Sequence, residues 1–117
     1  MLIEAIDSCF SQDYPNLEII VLDDASTDGT YELIQKIHTV KYYRSEKPSG
    51  SGGAFNKAIE KATGDNIVLL CADDIFTDHR VVSDIAALFR CYPNVGHISR
   101  YYHQFIDGDK RPVRAWR

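Results

Sequence analysis

The stretch "EIIVLDDASTDGT", residues 18–30, decides how the rest of the chain is read. Glu18 to Leu22 is short, rich in β-branched residues and apolar beyond its first position, which predicts a strand covered on both faces. It runs directly into two adjacent carboxylates, Asp23 and Asp24, and then into small polar residues. Beyond them Thr30, Leu33, Ile34 and Ile37 form a helical stripe, with Ser26, Thr27 or Asp28 available as its N-cap.

Upstream, Leu2, Ile6, Cys9 and Phe10 share one helical face, and that helix should stop before Tyr14-Pro15 because a residue preceding proline avoids helical geometry. Downstream, Thr39 to Ser45 reads as a strand and Ser51 to Ala62 as a helix, closed by a left-handed Gly64. Asn66 to Ala72, "NIVLLCA", predicts another buried strand ending in a second acidic pair, Asp73-Asp74. Thr77 is placed to cap a fourth helix carrying Val81, Val82, Ile85, Leu88 and Phe89. The tail from His97 to Trp116, with "DGD" at its middle, reads as a β-hairpin.

Alternating helices and strands imply an α/β fold, a mainly parallel sheet with helices on both faces. Ligands of such sheets lie outside the carboxyl ends of the strands. Asp23-Asp24 and Asp73-Asp74 are therefore expected on one rim. An Asp after a strand also serves as a turn former or helix cap, a role open to Asp23 in particular. Adjacent acids repel unless a cation or good donors stand nearby, and hard oxygen ligands suit Mg²⁺ or Mn²⁺ bridging to phosphate.

Size and charge narrow the alternatives. A chain of 117 residues is expected to form one domain. Its net charge of -4 argues against nucleic acid or an anionic membrane as a partner, so bound phosphate would need local positive charge or a metal. Cys9, Cys71 and Cys91 have neither disulfide nor zinc spacing and read as free thiols of a reducing compartment. No apolar run approaches the roughly 20 residues of a membrane span, which leads to the expectation of a cytoplasmic protein. His38, His79, His97 and His103 lack ligand spacing, and Tyr42, Tyr43, Tyr101 and Tyr102 read as sheet residues.

The glycine-rich stretch "PSGSGGAFNKAIEKATG", residues 48–64, opens the third helix. Its N-terminal NH groups favour an anion by about 0.3 to 1 kcal/mol. It matches neither the P-loop nor the dinucleotide fingerprint, and a glycine start that lets backbone pack closely explains it equally well. Asn56, one turn in, reaches the crevice or faces solvent.

Taken in order, "SCFSQDYPNLEIIVLDDASTDGT" and "GSGGAFNKAIEKATGDNIVLLCADD" resemble the family 2 glycosyltransferases of the GT-A fold, over nearly the whole chain. The resemblance implies that Asp24 and Asp23 contact the base and ribose of a nucleotide-diphospho-sugar, UDP-sugar above all. It implies that Asp73 and Asp74 hold Mg²⁺ or Mn²⁺ against the diphosphate, as the end of a DxD-like site. The implied substrate-binding set is Asp23, Asp24, Ser26, Asn56 and Asp73, and the implied metal ligands are Asp73 and Asp74. Cys71 stands where the first acid of the triplet is usual, and Phe55 where an arginine commonly precedes the asparagine. The chain is expected to begin inside the first helix, lacking the family's usual first strand.

A general base for inverting transfer is placed by the resemblance beyond this region; Asp107 and Asp109 read as a hairpin turn, so the catalytic residue is left unassigned. The expected function is the donor-binding part of an inverting glycosyltransferase, with a saccharide or lipid-linked acceptor, peripheral to the inner face of a membrane, and working as an oligomer or with a completing chain. A noncatalytic or degenerate nucleotide-sugar-binding or assembly module is the alternative. A phosphoacceptor receiver domain fits worse, because Arg100 and tyrosines follow the late strand where a lysine is wanted.

Overall fold

The computed structural model describes residues 1–98 in full, together with the backbone of residues 103–106 and 109–115. Arg100, Tyr101, Tyr102, Asp107 and Trp116 lie outside the described residues. Two compact units divide the chain, Met1–Ala86 and Ala87–Arg117.

In the first unit, helix α1 (Leu2–Phe10) buries Ala5 and Ile6 and ends before Tyr14-Pro15, as the apolar spacing requires. Strand β1 (Ile20–Asp23) pairs in parallel with β2 (Lys41–Arg44), in the register Ile20↔Lys41 to Asp23↔Arg44. Parallel pairing needs a crossover connection, and helix α2 (Thr30–Ile34) lies within it. α2 is one turn shorter than its apolar stripe, and Ile34 is its anchor, 2% exposed. Gly29 occupies the N-cap position, while the Asp28 carboxylate accepts from the Thr30 N–H and hydroxyl. Helix α3 (Gly50–Lys61) packs against β1. Helix α4 (Val81–Cys91) buries Val82 and Ala86 and runs across the boundary between the units. In the second unit, β3 (His103–Ile106) and β4 (Asp109–Ala115) pair antiparallel, which is the hairpin expected of the tail.

Four local expectations are corrected. Asn66 to Ala72 forms no strand among the described residues: Ile67, Val68 and Leu69 are 42%, 37% and 50% exposed. An apolar run becomes a strand only when a neighbour takes up its N–H and C=O groups, and the sheet of this unit consists of β1 and β2. The same lack of cover leaves Ile20 to Leu22 half-buried instead of enclosed on both faces. α3 closes at Ala62, which is extended (φ -73, ψ 143), so Gly64 has no left-handed role. α4 starts at Val81, four residues after Thr77; the Asp78 carboxylate accepts from the Arg80 N–H, and Gln12, just past the end of α1, accepts from the Val82 N–H. No helix among the described residues is long and apolar enough to cross a membrane.

Candidate functional site

Asp23, the last residue of β1, and Asp24, just beyond it, turn to different partners. Asp23 is buried, and its side chain is fully enclosed. One carboxylate oxygen accepts from the Ser26 N–H at 2.7 Å, the other from the Tyr42 hydroxyl at 2.6 Å, and the Arg44 guanidinium stands 3.5 Å away. Burial pushes the Asp23 pKa up, but these donors and the Arg44 charge together hold it below the usual value. Tyr42 is pushed to about 12, by burial and then by the carboxylate it donates to.

The turn that aims the Ser26 N–H is bent at Ala25, a non-glycine residue with φ 66. Such a conformation costs an L-residue about 1–2 kcal/mol. Ser26 serves Asp23 through its hydroxyl as well as its N–H, and its carbonyl accepts from Arg44 at 2.7 Å.

Asp24 turns to α3. Its carboxylate accepts from the Ser49 N–H at 2.6 Å, the Ser49 hydroxyl at 2.7 Å and the Gly50 N–H at 2.8 Å, capping the helix from 25 residues away. Those Ser49 bonds lead in holding its pKa below the ordinary value. The glycines around it have separate tasks. Gly50 has φ +73 with open space around it, so its backbone conformation calls for glycine, whereas a Cβ on Gly53 would sit 2.7 Å from the Ser49 Cβ, so close packing at the helix start excludes one there.

Lys57 completes the cluster, with its ammonium 2.8 Å from the Ser45 hydroxyl, 2.9 Å from that of Ser49 and 3.8 Å from Asp24. Asn56, its neighbour, is exposed on α3, and its side chain makes no hydrogen bond among the described residues. Lys57 also lines an open groove of about 660 Å³ with Arg44, Lys47 and Lys61, opposed by Glu46 and Glu60. An acidic chain thus concentrates positive charge next to Asp24, which the sequence pattern alone does not reveal.

The second pair lies in an exposed turn closed by the Asp74 N–H donating to the Cys71 carbonyl at 3.1 Å. One ligand atom each from Cys71, Asp73 and Asp74 lie within 4.8 Å of one another. Two carboxylate oxygens at that spacing fit a hard divalent cation that keeps several waters. The thiol does not fit: desolvation, then the charges of Asp74 and Asp73, push the Cys71 pKa up and keep it protonated.

Gln12 and Lys57 are the residues that pattern reading missed. Both lie within the quoted stretches, but their roles come from tertiary contacts, Gln12 with Asp78 and Val82 and Lys57 with Ser45 and Asp24, which spacing does not show.

Residues 1–116 match the family described as Glycosyl transferase family 2. The chain is similar to an uncharacterized glycosyltransferase of Nostoc sp., 31% identical over 117 residues, covering 96% of this chain and 35% of the relative. It is similar to the UDP-Glc:alpha-D-GlcNAc-diphosphoundecaprenol beta-1,3-glucosyltransferase WfaP of Escherichia coli, 35% identical over 82 residues, 68% of this chain and 33% of that protein. It is also similar to a putative teichuronic acid biosynthesis glycosyltransferase, TuaG, of Bacillus subtilis, 37% identical over 78 residues, 61% of this chain and 30% of that protein. The chain spans about a third of the length of these curated relatives. No solved structure gives a significant match. With the acidic turn after the apolar run and the capped glycine-rich helix in sequence order, this chain belongs to glycosyl transferase family 2 and has the family's GT-A α/β fold.

Proposed function

We propose that this chain supplies the donor-binding part of an inverting glycosyltransferase. It would hold a nucleotide-diphospho-sugar, a UDP-sugar foremost, for transfer to a hydroxyl of a saccharide or lipid-linked acceptor. The observation that carries the reading is the convergence of Asp73 and Asp74 in one exposed turn. Asp73 and Asp74 are the residues that would hold Mg²⁺ or Mn²⁺, which when bound would offset the charge of the leaving diphosphate. Asp24, held ionised by its α3 donors, is an acceptor-only group suited to a base N–H or a ribose hydroxyl. Lys57, Arg44 and the neighbouring lysines supply positive charge for phosphate. In this reading Asp23, Asn56 and Ser26 would complete the donor-binding set. A lipid-linked acceptor would keep the protein at the cytoplasmic face of a membrane, as the diphosphoundecaprenol in the name of the Escherichia coli relative suggests.

Titration calorimetry with UDP-sugars, with and without Mn²⁺, tests the assignment. Metal-dependent binding in the parent chain should vanish in Asp73→Ala; equal affinity in both proteins would refute it.

A second reading, a noncatalytic assembly module, draws on the exposed Ile67 to Leu69 run, which offers apolar surface to another chain. Sedimentation of a chain without sugar-nucleotide affinity but with a stable oligomer would favour it.

A further inference from the structure

The acids Asp73 and Asp74 sit in an exposed turn, and an exposed turn does not by itself fix two carboxylates at a set separation. The segment that follows is fixed. The Phe76 N–H donates to the Ser8 hydroxyl at 3.1 Å, two residues after Asp74. Gln12 Nε2 donates to the Asp78 carbonyl at 2.8 Å and to the Ser8 carbonyl at 3.1 Å. The Asp13 N–H donates to the His79 carbonyl at 2.8 Å, and Gln12 Oε1 accepts from the Val82 N–H at 3.0 Å. Gln12 is only 9% exposed, so its amide has both ends satisfied out of bulk water.

We propose that Gln12 is a positioning residue. With Ser8, it latches residues 76–82 to the end of α1 and thereby sets the geometry of the Cys71–Asp74 turn. The inference rests on the metal reading given above. It assigns Gln12 a share in cation affinity although it touches no ligand atom, in the manner of groups that orient ligands from behind.

Free Mn²⁺ is titrated by electron paramagnetic resonance in the parent chain and in Gln12→Met, Ser8→Ala, Ile34→Val and Asp73→Ala. Gln12→Met keeps the side-chain volume and removes the hydrogen bonds; it should weaken Mn²⁺ binding by about 10-fold or more. Ser8→Ala, which removes the acceptor of the Phe76 N–H, should weaken it in the same direction and stands in if Gln12→Met fails to fold. Ile34→Val lowers the melting temperature at a site apart from the latch and should leave Mn²⁺ affinity unchanged, separating positioning from general loss of stability. Parent-like affinity in folded Gln12→Met, or in Ser8→Ala where Gln12→Met does not fold, overturns the proposal. A parent chain that binds Mn²⁺ no better than Asp73→Ala overturns the metal reading instead. The latch is then decided by hydrogen exchange: faster exchange at the Asp74 and Phe76 amides of Gln12→Met, with β1 and β2 still protected, supports it, and unchanged exchange there refutes it.

Discussion

The Tyr42 hydroxyl donates to the Asp23 carboxylate at 2.6 Å, although the ladder sets Tyr42 opposite Val21 and Asp23 opposite Arg44. Alternation along each strand puts Val21, Asp23, Tyr42 and Arg44 on one face, so the contact is a diagonal between neighbouring pairs. A charged group that belongs at a sheet's edge is thereby held inside it.

Removing that donor leaves a buried acceptor short of a partner. Tyr42→Phe should cost about 1–3 kcal/mol in urea denaturation. A change below about 0.5 kcal/mol, the scale of neutral surface substitutions, would show that water replaces the hydroxyl. Because the folded pKa of Tyr42 is raised, to about 12, its contribution is complete below the unfolded value near 10 and is lost as pH rises through about 12. Tyr42→Phe should flatten stability against pH in that window.

Ala25 carries the strain of the turn between the two acids and α2. Ala25→Gly relieves about 1–2 kcal/mol of steric cost and adds back about 0.5–1 kcal/mol of unfolded-chain entropy. The expected outcome is a net gain of up to about 1.5 kcal/mol by chemical denaturation. A loss would mean that the Ala25 side chain makes a compensating contact.

Glu18 accepts from Lys41 across the start of the ladder and from the backbone and hydroxyl of Thr63 just past α3. The Lys41 hydrogen bond leads in lowering its pKa to about 2 from 4.5. A depressed folded value stabilises above the unfolded value and is lost as pH falls from about 4.5 through about 2. Glu18→Gln should be less stable than the parent at neutral pH and lose less between those limits. Parallel acid-titration curves for the two proteins would count against this.

Asp24 combines a cap with a proposed donor contact, and two substitutions separate them. Asp24→Asn keeps an oxygen for the Ser49 and Gly50 N–H groups, so its melting temperature should stay near the parent's while nucleotide affinity drops about tenfold or more with the lost charge. Asp24→Ala should lose both. Unchanged nucleotide affinity in Asp24→Asn would leave Asp24 a purely structural cap.

Much of the architecture was legible because it is local. The apolar spacing of α1 and α4, the β-branched run of β1, the paired tyrosines of β2, and the "DGD" that leads into β4 each announce their element within a few residues. The Asn66 to Ala72 run was misread for a physical reason: composition shows what a strand would be made of, whereas pairing depends on a neighbour elsewhere. The start of α4 was misread likewise, since Gln12 supplies its acceptor from 70 residues away. At the site, the residue types of Asp24 and Asp73 pointed to chemistry. The partners that shape them, Ser49, Lys57 and Gln12, are set by tertiary contacts that no spacing rule reaches.

The bare apolar run also changes how its charged neighbours should be regarded. Asp65 precedes Ile67 to Leu70, and Asp73 and Asp74 follow it, so like charges bracket a segment of high β-propensity. Copies of the chain stacking in register there would bring those carboxylates face to face, which makes them gatekeepers against fibrillar association. Replacing Asp73 or Asp74 by alanine, whatever it does to cation binding, should therefore shorten the lag before turbidity appears at high protein concentration.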